Sequence, residues 1–285
     1  MTNPVAVVFA IVEGLTEFLP VSSTGHMIIA QGILQIQESS FTKMFLVNIQ
    51  FGAILAVLVL YYKRFLKSID FYKKLLVAFI PAAVLGLLLN KVIDNLLESV
   101  VTVAFSLIIG GVVILWADRK YKSQIDPLPE PVVPEVKEGE EYQELEDEEP
   151  ELQISYLQAL IIGCFQTIAM IPGVSRSAAT IIGGLTQKLR MKEAAEFSFF
   201  LAVPTIAAAA AYKTMKGFEY IKGTDMQNLI IGNVVAFIVA VIAIKYFITF
   251  ITQHGMKIFG YYRILLGVAI LIGIYVLHLP LQILK

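Results

Sequence analysis

Long apolar segments separated by short polar ones form the hydrophobic pattern of this chain. A helix needs about 20 apolar residues to cross a membrane, and six segments reach or approach that length. They are residues 44–62, 75–89, 100–117, 194–212, 228–251 and 258–284. Two further apolar segments, 4–35 and 154–188, contain proline, glycine and polar residues near their middles. Because broken helices are tolerated in a membrane where protein or water surrounds them, we predict that both segments are re-entrant helical hairpins.

The two interrupted segments align with each other without a gap. Val21-Ser22-Ser23 then faces Val174-Ser175-Arg176, and Glu13 faces Gln166. Each half of the chain has one hairpin followed by three spans, and an odd number of crossings turns the second half upside down. We therefore predict an all-α polytopic membrane protein with six transmembrane helices and two re-entrant hairpins. Its halves, residues 1–117 and 154–285, form an inverted-topology repeat.

Composition agrees with a membrane protein and sets one segment apart. Of the 285 residues, 57% are hydrophobic and 16% charged, and the mean hydropathy is +0.75. Residues 126–151 nevertheless hold twelve acidic residues against a single base, Lys137, together with several prolines. We predict that residues 118–153 form a disordered acidic linker, since such a composition cannot bury enough apolar surface to fold.

Basic residues near the ends of the predicted spans indicate the orientation in the membrane. Three clusters favour a cytoplasmic location, which places the acidic linker in the cytoplasm and both ends of the chain outside. They are Lys63, Arg64, Lys67, Lys73 and Lys74, then Arg119, Lys120 and Lys122, and finally Lys188, Arg190 and Lys192. The loop with Lys213, Lys216 and Lys222 would face outward and disagrees with this prediction.

The first hairpin carries two acids, and ionisable groups are costly at membrane depth. Glu13 and Glu17 are four residues apart and would share one face of a helix. Two carboxylates can hold a divalent cation whose remaining ligands are phosphate oxygens. The structural alternative is a pair neutralised by protonation or by a basic neighbour. We favour the metal site, because an apolar hairpin has little structural need for two acids.

The break of the first hairpin follows Pro20, which we predict ends the first half-helix. Hydroxyls of Ser22, Ser23 and Thr24 precede the N-terminus of the next helix, where free N–H groups favour an anion. His26 follows, and a histidine beside a hydroxyl is a candidate pair of base and nucleophile. A histidine alone would more often be an interfacial or hydrogen-bonded structural residue.

The break of the second hairpin extends from Pro172 to Thr180 and contains Arg176. Arginine offers a planar fork of donors that suits bidentate phosphate binding, although an arginine can also reach the membrane surface from a helix end. Gly173 would let the backbone approach an anion closely. Carboxylates, an arginine and a nucleophile–base pair together predict phosphoryl transfer or phosphate-ester hydrolysis on an amphiphilic substrate.

A transporter or lipid flippase is the alternative function, because inverted repeats and broken helices are typical of transporters. Hydrolysis is favoured over transport because a carrier needs no nucleophile beside a base. A nucleotide-hydrolysing loop of the Gly-x-x-x-x-Gly-Lys-Ser/Thr type does not occur in the sequence.

The two motifs, Glu13 to His26 and Pro172 to Thr180, closely resemble those of the BacA/UppP family of undecaprenyl-diphosphate phosphatases. Ala178 stands where that family usually has glycine. The resemblance implies removal of the terminal phosphate of undecaprenyl diphosphate, which recycles the lipid carrier for peptidoglycan synthesis.

The resemblance also implies roles for individual residues, a cofactor and partners. Glu17, Ser23, His26 and Arg176 would be catalytic, with Glu13 and Glu17 binding a divalent cation, Mg²⁺ or Ca²⁺. The substrate would be bound by Ser22, Thr24, Gly173, Ser175, Ser177 and Thr180. A homodimer in the bacterial cytoplasmic membrane is expected, with the site open to the periplasmic face. Its partners would be the polyprenyl diphosphate and membrane lipid, and no nucleic acid.

Overall fold

A computed structural model describes residues 1–36, 39–89, 92–93, 96, 99–125, 152–217, 221, 223 and 225–277. Within these ranges the regular structure is entirely helical. The first half contains α1 (Asn3–Thr16), α2 (Ser23–Ile33), α3 (Ser40–Leu60), α4 (Tyr62–Lys67), α5 (Ile69–Leu88) and α6 (Val100–Lys120). A short 3₁₀ turn (Lys122–Gln124) follows. The second half contains α7 (Tyr156–Ile168), α8 (Arg176–Thr186), α9 (Met191–Gly217), α10 (Asp225–His254) and α11 (Lys257–Tyr275).

Six of these helices are long and apolar enough to cross a membrane, namely α3, α5, α6, α9, α10 and α11. They coincide with the six predicted spans, so the polytopic all-α fold is confirmed. The last helix ends at Tyr275, whereas we predicted a span to residue 284, and residues 278–285 lie outside the described ranges. We predicted a disordered linker from residue 118, but residues 118–120 belong to α6 and Lys122–Gln124 form the 3₁₀ turn, so the start of that segment is ordered. Residues 126–151 lie outside the described ranges, and their disorder stays a prediction.

Each interrupted segment folds as two short helices around a break, α1 with α2 and α7 with α8. That these hairpins are re-entrant stays a prediction. The first break differs in detail from the one expected. Helix α1 ends at Thr16 rather than at Pro20, because a proline disfavours the helical conformation of the residue before it and cannot donate its own hydrogen bond. Ser23 and Thr24 lie in the first turn of α2 rather than in the break.

The first helix of each hairpin packs mainly on the other half of the chain. Helix α1 of the first half packs mainly on α10 of the second, and α7 of the second half packs mainly on α5 of the first. The corresponding helices α3 and α9 contact each other, as do α6 and α11. These reciprocal contacts are the pattern that an approximate two-fold axis between the halves would produce. They bring the two breaks to the same region of the protein.

Small residues allow the close helix contacts across this arrangement. A Cβ atom added to Gly14 of α1 would lie 2.7 Å from the carbonyl oxygen of Ala236 in α10. One added to Gly163 of α7 would lie 2.9 Å from the Cα atom of Ala78 in α5. Both distances are too short for real carbon contacts, so glycine is required where each hairpin meets the opposite half.

Candidate active site

A serine caps the second helix of each hairpin in the same unusual conformation. Ser22 before α2 has φ 71° and Ser175 before α8 has φ 75°, in the left-handed region that residues with a Cβ seldom adopt. Each Oγ accepts a hydrogen bond from a backbone N–H three residues later, Gly25 at 3.4 Å and Ala178 at 3.2 Å. These two serines are aligned in the predicted repeat. Backbone strain of this kind is concentrated at functional sites.

Glu17 joins the two breaks. It follows the last residue of α1, and its Oε2 accepts a 2.6 Å hydrogen bond from the Oγ of Ser23. Its Oε1 accepts a 3.3 Å hydrogen bond from Nη2 of Arg176, which belongs to the other hairpin. The side chains of Glu17 and Arg176 are only 8% and 11% exposed, so this ion pair is shielded from solvent. One carboxylate thus orients both a hydroxyl and a guanidinium group.

Packing beneath this ion pair holds the arginine in place. Arg176 donates a second hydrogen bond, of 2.8 Å, from Nη1 to the carbonyl of Ser198 in α9. Its guanidinium carbon lies 5.9 Å from the ring centre of Phe18, and Phe18 packs edge-to-face on Phe199. Ser177 donates a 2.7 Å hydrogen bond to the carbonyl of Phe18, which ties the breaks together a second time. Arg176 is therefore a largely buried residue held between the two hairpins.

A polar cavity of about 200 Å³ lies between the two breaks. Seven residues predicted from the sequence line it, namely Glu17, Ser22, Ser23, Thr24, Gly173, Ser175 and Arg176. Two further polar residues, Gln50 of α3 and Thr205 of α9, also line it, together with the apolar Ala169, Ile206 and Ala209. Neither residue was predicted from the sequence, because nothing in their own segments separates them from other polar residues within spans.

Three of the predicted substrate-binding residues make structural contacts. Ser177 is fully buried against Phe18. Thr180 is 1% exposed and donates within its own helix or to Ser198, whose Oγ lies 2.6 Å away. Gly173 lines the cavity, but its φ of 92° and a Cβ position 2.7 Å from the carbonyl of Val103 show that it is needed for contact with α6. The structure places Ser177 and Thr180 outside the cavity.

His26 makes its hydrogen bonds to groups other than the Ser23 hydroxyl. Its Nδ1 lies 2.8 Å from the carbonyl of Ser22, and its Nε2 lies 2.6 Å from the hydroxyl of Tyr262 in α11. A carbonyl can only accept, so Nδ1 carries a hydrogen, and a neutral ring accepts the tyrosine proton at Nε2. Both ring nitrogens of His26 are therefore engaged, and the group bonded to the Ser23 hydroxyl is Glu17. The catalytic role of His26 stays a prediction.

Glu13 is a buried acid beside Glu17. It is 0% exposed, and neither carboxylate oxygen accepts a hydrogen bond from the described residues. The charges of Glu17 and Arg176 act on it, so two carboxylates share one arginine. No group of three or more His, Cys, Asp or Glu residues that could form a metal site exists in the described ranges. A cation here would take Glu13 and Glu17 as its acidic protein ligands.

Arg263 is the positioning residue that sequence analysis missed. This fully buried side chain of α11 donates to the carbonyls of Pro20 at 3.2 Å in the first break, and of Val174 at 2.9 Å and Gly173 at 2.8 Å in the second. It also bonds the α6 carbonyls of Ser106 and Leu107. The available signal was a lone arginine in the apolar sequence of residues 258–284. Arg263 fixes both breaks relative to α6.

Comparison with known proteins identifies the family. The profile of the family described as "Bacitracin resistance protein BacA" matches residues 6–269, which include both hairpins and both breaks. The chain belongs to the BacA family. Our sequence-based assignment is thereby confirmed, and the BacA profile covers the cavity, the ion pair between the hairpins and Arg263.

Three similar proteins are all named undecaprenyl-diphosphatase. The one from Flavobacterium johnsoniae is 54% identical over 98% of each chain, and the one from Bdellovibrio bacteriovorus is 51% identical over 96% of each. The protein from Aquifex aeolicus is 42% identical over 94% of this chain and 96% of its own. The similarity therefore extends over almost the full length of this BacA family member.

Proposed function

We propose that this protein hydrolyses undecaprenyl diphosphate to undecaprenyl phosphate and inorganic phosphate, in the cavity between its two breaks. The observation that carries the proposal is the set of contacts around Glu17, which joins a hydroxyl of one hairpin to an arginine of the other. The names of the BacA relatives supply the substrate. Recycling of the lipid carrier for peptidoglycan synthesis is the corresponding physiological role.

In the proposed reaction Ser23 is the nucleophile and Glu17 is its base. The Oγ of Ser23 attacks the terminal phosphorus while its proton passes to Oε2 of Glu17, and the bond from phosphorus to the bridging oxygen breaks. Undecaprenyl phosphate leaves, and a water molecule then displaces the Ser23 oxygen from phosphorus as the proton returns to Ser23. We favour Glu17 over His26 as the base because Glu17 is the residue bonded to the Ser23 hydroxyl.

Arg176 supplies positive charge and donors for the phosphates. Its side chain lines the polar cavity, and its Nη1 and Nη2 each donate one hydrogen bond, to Ser198 and Glu17. Each of these nitrogens therefore keeps a second hydrogen that can be donated. Positive charge at a phosphoryl group lowers the energy of the transition state most where water is excluded. The strained N-caps Ser22 and Ser175 direct the N-termini of two helices toward the same cavity, and such N-termini favour anions.

A divalent cation on the two acids of the first hairpin belongs to the proposal, although Glu13 does not line the polar cavity and both oxygens of Glu17 accept hydrogen bonds. One arginine carries one positive charge, so Glu13 and Glu17 need a proton or a cation for full neutralisation. Mg²⁺ or Ca²⁺ bound by these carboxylates would supply neutralisation of the diphosphate charge, with phosphate oxygens completing its ligands. The cation requirement belongs to the proposal and is tested below.

The proposed location is the bacterial cytoplasmic membrane, with the basic loops in the cytoplasm and the site open to the outer face. Two contacts support placing the basic segments at the same end of the protein. Arg64 pairs with Glu196 at 3.7 Å, and Gln124 donates a hydrogen bond to the carbonyl of Leu185. Helix α9 begins at that end, and its cavity residues Thr205 and Ala209 lie in its second half. The homodimer stays a prediction.

Phosphate release from undecaprenyl diphosphate by detergent-purified protein tests the proposal. EDTA should abolish release, and added Mg²⁺ or Ca²⁺ should restore it. Arg176→Ala should remove activity, whereas Ile109→Ala, on the exposed face of α6, should keep it. Folded protein that releases no phosphate with any cation would contradict the proposal and favour the transporter alternative.

A further inference from the structure

The polar cavity continues into an apolar groove. This groove, which we call the α5–α9 groove, has a volume of about 510 Å³ and lies between α5, the end of α7, and α9. It shares the lining residues Ala169, Arg176, Thr205 and Ala209 with the polar cavity. The volume is within the range of small-molecule binding sites. A molecule with a charged end in the cavity and an apolar body would leave the cavity through this opening.

Small side chains keep the groove open. Helix α5 contributes Ala82, Ala83 and Gly86 beside Phe79 and Leu87, and α9 contributes Thr205, Ala208 and Ala209 beside Tyr212 and Lys213. Each set repeats at intervals of three or four residues, so each lies on one helix face. A Cβ atom added at Gly86 would meet only the Cε of Met170, at 3.6 Å. The gap between the two helices therefore results from the small side chains on their facing surfaces.

A second apolar groove shows that volume alone does not decide where a lipid tail lies. The α1–α11 groove, between α1, α10 and α11, has about 630 Å³ and is the larger of the two. It reaches His26 and Tyr262 but shares no lining residue with the polar cavity. A tail covalently attached to a diphosphate beside Ser23 needs a continuous path, and only the α5–α9 groove of these two adjoins the cavity.

We propose that the α5–α9 groove binds the isoprene units of the substrate nearest its diphosphate, with the rest of the tail in the membrane lipid. This inference rests on the proposed function and specifies how the same site holds its substrate. Arg176 and Thr205 stand at the junction between the phosphates and the tail. The groove excludes substrates whose tail is too bulky at its first units to pass between α5 and α9.

Filling the groove tests the proposal through the kinetics of phosphate release. Gly86→Leu should raise KM for undecaprenyl diphosphate about tenfold or more, because hydrophobic pockets discriminate on this scale, and should leave kcat near its normal value. Gly86→Ala should give a smaller rise. Ile242→Trp, which fills the α1–α11 groove, is the matched control and should leave KM unchanged. A rise in KM for Ile242→Trp without one for Gly86→Leu would overturn the proposal.

Thiol protection provides a measurement that does not depend on activity. Cys164 is the one cysteine and is exposed, so Cys164→Ser gives a background in which Ala83→Cys or Ile242→Cys can be labelled with a maleimide. Undecaprenyl phosphate should slow labelling of Ala83→Cys and leave that of Ile242→Cys unchanged. Equal labelling of Ala83→Cys with and without the lipid would refute the groove assignment. Failure of the wild-type protein to release phosphate would refute the proposed function separately.

Discussion

Replacing Gly110 by alanine should destabilise the protein, although alanine is the better helix former. Gly110 lies within α6, where glycine in place of alanine normally costs about 0.5–1 kcal/mol. A Cβ atom at this position would lie 2.9 Å from Cζ of Arg263 and still closer to Nη2. Arg263 cannot move freely, because its nitrogens are bonded to carbonyls of both breaks and of α6.

The size of the effect follows from the bonds that Nη2 would lose. It donates to the carbonyls of Ser106 at 3.2 Å and Gly173 at 2.8 Å, and hydrogen bonds to charged groups contribute about 1.5–3 kcal/mol each. Losing both, less the gain in helix propensity, predicts a net destabilisation of roughly 2–5 kcal/mol. Displacement of the Gly173 carbonyl should also lower kcat/KM by roughly ten- to a hundredfold.

Denaturant unfolding of the purified protein in detergent measures the first effect, and phosphate release measures the second. Gly86→Ala is the matched control for stability, because the added Cβ has room in α5 and should leave the free energy of unfolding equal or higher. Gly110→Ala protein that is as stable and active as the wild type would refute the role assigned to Arg263.

Further substitutions test the catalytic roles and the packing. Glu17→Gln should lower kcat by roughly 10²–10⁴-fold, the range for loss of a general base, measured by phosphate release. Ser23→Ala should remove turnover and any phosphoserine trapped by rapid quenching; substantial turnover would show that water attacks phosphorus directly. Tyr262→Phe should reduce kcat less than Glu17→Gln, since it removes only the partner of His26. Gly52→Ala should lower the melting temperature, because its Cβ would lie 2.7 Å from the Cα of Asn233 in α10; an unchanged melting temperature would contradict this contact.

Local sequence signals were sufficient to predict the spans and both breaks. The six spans followed from apolar length, and the breaks from proline, glycine and hydroxyl residues within apolar segments. The gapless alignment also paired Ser22 with Ser175, which adopt the same left-handed conformation. That conformation was not itself predictable, because it depends on how each break is held by the surrounding helices.

The partners of the site residues depended on tertiary packing and could not be read from sequence spacing. His26 was expected beside Ser23, since the two are three residues apart, but its Nε2 bonds Tyr262 from a distant part of the chain. Ser177 and Thr180 follow Arg176 closely, yet their helix face is turned toward Phe18 and Ser198. Proximity in sequence predicted the region of the site, and the fold determined which side chains line it.

The central claim is that the two breaks form one catalytic site, and a double-mutant cycle between Glu17 and Arg176 tests it most directly. The measurement is kcat/KM for phosphate release from undecaprenyl diphosphate by the wild type, Glu17→Gln, Arg176→Lys and the double variant. Residues that act as a unit show strongly non-additive effects, so the double variant should be about as active as the slower single variant. If its loss of activity instead equalled the product of the two single losses, the residues would act independently and the account would be contradicted.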